Sequence, residues 1–361
     1  MAGQSIIRTN RKSKPFPLYV RMRRGLLDLA IAKSRRWFGW RTHNFQALSW
    51  ACMKKEAKFR RASGWLGFAL FIPGILGFAD SKPEGSTMPR SQWLVDIYWL
   101  QENLESKDLI LVDTRSEQEY SEGHIPGAIW LDLSGFPNQT DDSGLQELRR
   151  QLSKKLSGLG ITGTEGMVFY EEHTGTKAPR ALWFLTYSGY LNGKVLHGGI
   201  SAWREAKFSL SRQPAVRQAK PFAVRENSGV LASADYVLKS IGNPGCVILD
   251  VRSREEYAGT DSPRTGHIPG ARWLEWNELL DSTLNFRPLA ELQKRLSDAG
   301  VTPDKEIITY CKSGSRSSNT YLALCILGYP RTRNYLGSWQ EWSSHLDLPV
   351  EKERKETSSH P

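Results

Sequence analysis

The chain predicts an α/β protein built from two tandem copies of one domain, each a mainly parallel sheet with helices on both faces. Three observations carry this. A length of 361 residues holds two domains with a core each. Similar segments recur once, in one order, at offsets of 137 to 143 residues. Short runs rich in Val and Ile alternate with helical stretches, the pattern of buried parallel strands joined by helical crossovers.

Composition narrows the classes. With 39% hydrophobic and 24% charged residues the chain is neither disordered nor a multi-span membrane protein. Its net charge of +11 would suit a nucleic-acid binder if it were spread over the fold. It is not: residues 1–62 carry sixteen Lys or Arg against Asp28 and Glu56, and the remainder carries 33 basic and 36 acidic side chains. No nucleic-acid partner is therefore expected. Cys52, Cys246, Cys311 and Cys325 form no C-x-x-C pair, and no His/Cys cluster has zinc spacing, so no metal is expected.

Taken in order, the elements begin with a leader. From Met53 a charged segment precedes the apolar run Trp65–Phe78, with small residues at Gly77 and Ala79. This predicts a signal peptide over 53–79, a start at Met53, residues 1–52 as a disordered upstream extension, and an exported, periplasmic protein. An organellar transit peptide is the alternative, because residues 1–62 are Arg-rich and acid-poor.

The first copy is expected over residues 90–210. Strands are expected at Leu109–Val112 and Met167–Tyr170, with a helix at Leu145–Leu156. The segment Leu111–Leu131 contains L-V-D-T-R and G-H-I-P-G-A. It recurs in Leu249–Leu274, so that Asp113 matches Asp250, Arg115 matches Arg252 and His124 matches His267. Residues 211–230, with Pro214 and Pro221 and no periodicity, read as a linker. The second copy is expected over 231–347, with strands at Val247–Leu249 and Glu306–Tyr310 and a helix at Leu289–Ala299. Residues 348–361 read as a charged, disordered tail.

The chemistry concentrates after the last of these strands. The loop Cys311-Lys312-Ser313-Gly314-Ser315-Arg316-Ser317 runs from a buried strand into a helix whose apolar face includes Tyr321, Leu322, Leu324 and Cys325 and which ends at Gly328. Loop amides, the helix N-terminus and the cations Lys312 and Arg316 predict an anion pocket around a nucleophilic thiolate. Cys246, ahead of a strand, and Cys325, on an apolar face, are expected to be structural. Asp250 and Arg252 are expected to brace the loop as a buried ion pair, and His124 and His267, present in both copies, to be fold elements. Trp273 and Trp276 are candidates to line the cleft.

This ordered set of motifs, C-K-S-G-S-R with D-V-R-S-R-E-E-Y and G-H-I-P-G-A upstream and G-S-W-Q-E-W downstream, resembles the tandem rhodanese sulfurtransferases over about residues 90–347. The resemblance implies that Cys311 takes the sulfane sulfur of thiosulfate or 3-mercaptopyruvate as a persulfide. It then passes that sulfur to cyanide, a small thiol or a thiol protein, with Lys312 to Ser317 cradling the sulfur and no cofactor beyond the persulfide. Mercaptopyruvate members typically carry C-G-[SA]-G-V-T, so the more basic loop here points to thiosulfate. A phosphatase would need C-x5-R, whereas four residues separate Cys311 and Arg316. A sulfur-carrier docking role without turnover is the remaining alternative. In the first copy Glu171 replaces the cysteine, which makes that copy inert and leaves it to shape the cleft, with Arg180 a candidate to face it. Cys311 is then expected at the interdomain face of a monomer, and residues 231–347 alone are expected to fold but to lose most activity.

Overall fold

The computed structural model describes residues 91–259 and 264–353. The leader, with its expected start at Met53 and signal over 53–79, lies outside the described residues.

The first copy contains β1 (Leu94–Val95), α1 (Ile97–Asn103), β2 (Leu109–Asp113), α2 (Glu117–Glu122), β3 (Ile129–Trp130), α3 (Asp142–Gly158), β4 (Gly166–Tyr170), α4 (Lys177–Tyr187), β5 (Gly193–Leu196) and α5 (Gly199–Glu205). The second repeats the order with β6 (Leu231–Ala232), α6 (Ala234–Ser240), β7 (Cys246–Asp250), α7 (Arg254–Ala258), β8 (Arg272–Trp273), α8 (Leu289–Asp298), β9 (Glu306–Tyr310), α9 (Ser315–Ile326), β10 (Thr332–Tyr335) and α10 (Ser338–Ser344). The sheets are β1-β5-β4-β2-β3 and β6-β10-β9-β7-β8, and every pair within them is parallel. The central strands are buried along nearly their whole length, which is why they read as continuous apolar runs. Cys246 begins β7, paired with Glu306, and does not precede it as expected, because the register with β9 extends one residue further.

Two boundaries move. Ser211 pairs through its backbone with His124, and Glu351 pairs with His267 in the same way, so each copy closes by returning its chain to its own G-H-I-P loop. The second copy therefore runs to about Glu351, and residues 348–353 are not a free tail: Leu348 is buried as well. Beyond Ser211 the linker lies along the first copy. Lys220, Arg225 and Asn227 donate backbone hydrogen bonds to Ser157, Ser188 and Tyr187, and Phe222 packs on Tyr190.

The motif residues are fold elements in both halves. Each histidine stacks on the tyrosine of its motif, His124 on Tyr120 and His267 on Tyr257, and its Nδ1 donates to that tyrosine's carbonyl at 2.8 Å. Trp130 and Trp273 donate to the carbonyls of Arg115 and Arg252, so Trp273 is held as a repeated brace. Trp276 is partly buried against the largest apolar cluster. Arg252 forms a fork with Asp250, Nη2 to Oδ2 at 2.5 Å and Nε to Oδ1 at 2.9 Å, and its Nη2 also reaches the Gly266 carbonyl. Tyr310, adjacent to Cys311, donates to Asp250 Oδ2 at 2.6 Å. Asp250→Asn leaves this buried guanidinium without its charge partner and is expected to destabilise the protein by about 3–5 kcal/mol. Arg254→Ala, which removes the exposed pair with Glu353, is expected to cost less than about 1 kcal/mol. Denaturant midpoints compare the two, and equal small losses would refute the bracing role.

The copies share apolar packing. Phe136, Trp183, Phe184 and Tyr187 of the first join Leu231, Tyr321 and Leu336 of the second in one cluster. Helix α9 was expected to bury one apolar face, but its residues Ser317 to Leu324 are buried continuously, because α4 of the first copy packs against it. At another point Glu341 on α10 accepts from the Thr140 hydroxyl at 2.6 Å and from its amide.

Candidate active site

Strand β9 is the middle strand of its sheet, and Cys311 is the first residue beyond its C-terminal end, where open parallel sheets hold ligands. The turn that follows has little freedom. Gly314 sits at φ +85°, and a Cβ there would fall 2.9 Å from the Leu336 carbonyl oxygen and side chain, so only glycine fits before α9 begins. The start of α10 fastens the loop from behind. Trp339 and Gln340 amides donate to the carbonyls of Cys311 and Lys312 at 2.9 and 3.0 Å, and the Cys311 amide donates to Ser338 Oγ at 3.1 Å. Ser338 adopts φ +54°, a left-handed conformation that the first copy fills with Gly199 at φ +58°. The serine carries that backbone strain and supplies the hydroxyl that fixes the Cys311 amide.

Around the sulfur, burial pushes the Cys311 thiol up, and hydrogen bonds from the Ser317 amide and hydroxyl and the Ser313 amide, together with the Arg316 charge, outweigh it. The thiol lies below its ordinary value. The Ser317 hydroxyl is 3.6 Å from Sγ and 2.7 Å from Asn334 Oδ1. Burial dominates at the other two described thiols, pushed up to about 11 at Cys246 and about 12 at Cys325. Since the thiolate is the nucleophile, iodoacetamide at pH 8 is expected to modify Cys311 ahead of Cys246 and Cys325, with the Cys311 rate falling only as pH drops through its depressed pKa. Peptide mapping of the alkylated protein checks this, and preferential labelling of Cys325 would contradict it.

The cations are arranged differently from the expectation that gave both Lys312 and Arg316 to a bound anion. Lys312 is exposed. Arg316 is held by Glu256 in a two-pronged ion pair at 2.6 and 2.9 Å, so part of its charge is already compensated. Ser313 contributes its amide, Gly314 its carbonyl to Ser318 and Asn334, and Ser315 its hydroxyl to an arginine of the other copy.

That arginine is Arg180. Its Nη1 donates to Ser315 Oγ at 2.6 Å and its Nη2 to Asn138 Oδ1 at 2.7 Å, while Nε is buried without a partner. Among the described residues no carboxylate pairs with it. Burial lowers its pKa, and the charge that opposes this is the Cys311 thiolate. A buried guanidinium with no carboxylate partner, fastened to the loop that carries the thiolate, is a place for an anionic ligand.

In the first copy the corresponding loop has closed on itself. Glu171 Oε1 accepts from the Lys177 and Ala178 amides at 2.7 and 2.9 Å, and burial pushes its carboxyl up to about 7 against those amides. A side chain of the chain thus fills the cradle that in the second copy surrounds sulfur. Sequence reasoning raised Arg180 but did not single out Asn138, Glu256, Asn334 or Ser338. Glu256 and Ser338 lie inside the repeated motifs, which was their available signal, whereas Asn138 carries none.

A family model described as a Rhodanese-like domain matches twice, at residues 96–206 and 233–345. The thiosulfate sulfurtransferase of Azotobacter vinelandii is 39% identical over 255 residues, covering 70% of this chain and 94% of that protein. The thiosulfate sulfurtransferase of Pseudomonas aeruginosa is 36% identical, covering 69% and 93%. Among solved structures, the 3-mercaptopyruvate sulfotransferase SseA of Escherichia coli aligns with a TM-score of 0.59 at 27% identity, covering 69% of this chain and 99% of SseA.

Proposed function

The chain belongs to the rhodanese-like family, with two domains in tandem, and we propose that it is a thiosulfate sulfurtransferase working through a persulfide on Cys311. The observation that carries this reading is the pairing of a low-pKa thiol in an amide cradle with the buried Arg180, which donates to Ser315 of that same loop and has no carboxylate partner among the described residues. The thiolate attacks the outer sulfur of thiosulfate, the S–S bond breaks, and sulfite leaves with the electron pair. Arg180 holds the sulfonate as that charge moves onto sulfite, and Lys312 attracts the dianion to the mouth of the site. The Ser313 and Ser317 amides, with the Arg316 charge, hold the persulfide anion as they hold the thiolate. Cyanide or a thiolate then attacks the terminal sulfur, takes it, and returns the Cys311 thiolate. No proton transfer is required in the cyanide reaction, which suits a loop without a general base.

The Lys312 charge and the relatives' activity favour thiosulfate over 3-mercaptopyruvate. The expected result is a higher kcat/KM for thiosulfate than for 3-mercaptopyruvate at saturating cyanide, and the reverse ratio would assign the mercaptopyruvate activity. Stoichiometric persulfide without thiocyanate turnover would assign a sulfur carrier. Export with cleavage after Ala79 belongs to the same reading and is checked by N-terminal sequencing of protein from its native host.

A further inference from the structure

Glu171 stands where a nucleophile would stand in an active copy, yet its contacts give it a different task. Helix α4 opens at Lys177 without help from its own cap residue, since Thr176 makes no side-chain cap bond. The first free amides of that helix, Lys177 and Ala178, are taken instead by the Glu171 carboxylate at the end of β4. The intervening loop is wound tightly around that carboxylate, for a Cβ at Gly175 would fall 2.6 Å from Oε2. Its outer side grips the second copy: the Thr174 and Gly175 carbonyls accept from Asn319 of α9 at 3.3 and 2.5 Å, and the Thr174 amide donates to the Leu284 carbonyl at 3.1 Å. Arg180 lies three residues beyond Lys177, and its amide makes the first-turn bond to the Thr176 carbonyl at 3.3 Å.

We propose that Glu171 is a positioning residue of the sulfur-donor site, clamping the first turn of α4 so that Arg180 of the silent copy is held against the Cys311 loop. The inference rests on the reading of Arg180 as the donor's cation. An uncapped helix end loosens over its first turn, and that turn is where Arg180 is rooted.

The test uses the full chain, with Glu171→Ala and Glu171→Gln made in the native and the Arg180→Ala backgrounds. Glu171→Ala is expected to lower kcat/KM for thiosulfate about tenfold, an effect of the size that loss of a helix cap gives, while kcat/KM for cyanide stays within about twofold. Glu171→Gln keeps a carbonyl oxygen for both amides and is expected to recover most of the loss. In the Arg180→Ala background neither change should lower thiosulfate use further, because the group being positioned is already gone. Additive losses in that background, or equal losses for thiosulfate and cyanide, would overturn the proposal and leave the donor reading intact. An unchanged thiosulfate kcat/KM in Arg180→Ala alone would overturn that reading and the proposal together. If Glu171→Ala does not fold, Glu171→Met, which keeps the side chain's length but offers the Lys177 and Ala178 amides no carboxylate oxygen, carries the same comparison.

Discussion

Replacing Cys311 by serine is expected to abolish thiosulfate:cyanide sulfur transfer, with a fall of at least about a thousandfold, because no other group in the loop can form the covalent intermediate. The serine hydroxyl does not ionise near neutral pH, so the stabilisation offered by the Ser313 and Ser317 amides and the Arg316 charge finds no anion to act on. Folding should be little affected, since the backbone contacts of residue 311 to Ser338 and Trp339 remain. Cys246→Ser and Cys325→Ser are expected to stay within about twofold of the parent rate, since burial keeps both thiols protonated at working pH. Measuring thiocyanate formation and melting temperature for the three variants decides it. Substantial activity in folded Cys311→Ser would sink the mechanism.

The second large effect is expected at Arg180. Arg180→Ala removes the guanidinium from a desolvated site, and the loss of one charge-assisted hydrogen bond to the sulfonate, worth roughly 1.5–3 kcal/mol, is expected to lower kcat/KM for thiosulfate by about ten- to a hundredfold. Discharge of the persulfide to cyanide should change little, because that step has no sulfonate to hold. Arg180→Lys is not expected to restore the loss, since an ammonium cannot span Ser315 and Asn138 as the guanidinium fork does. Half-reaction kinetics separate the two steps, and equal losses in both would place Arg180 in the scaffold and not at the donor. The same contacts bear on the second copy in isolation. Residues 231–347 were expected to fold alone, but without the first copy they would expose Leu231, Tyr321 and Leu336 and the face of α9 that α4 covers, and would leave out the chain that pairs His267 with Glu351. Poor folding of that fragment is the expected outcome.

By itself the sequence determined the duplication, the parallel α/β architecture, the loop at Cys311 and the presence of Glu171 at the equivalent place in the first copy. These rest on contiguous patterns: a buried strand shows as an apolar run, a turn shows as glycine, and a repeated motif shows as repetition. The Asp250–Arg252 pair was legible for the same reason, its members standing two residues apart on one strand end. Tertiary structure alone decided the distribution of charge around the sulfur. Glu256 reaches Arg316 across 60 residues of chain, and Arg180 reaches Ser315 across 135, so neither pairing leaves a local trace. It also decided that Glu351 closes the second copy on His267, a backbone pairing to which the charged side chains of the tail contribute no signal. The physical reason is common to these cases. Local patterns record which side chains avoid water, whereas the partner of a buried charge is set by which surfaces the two copies press together.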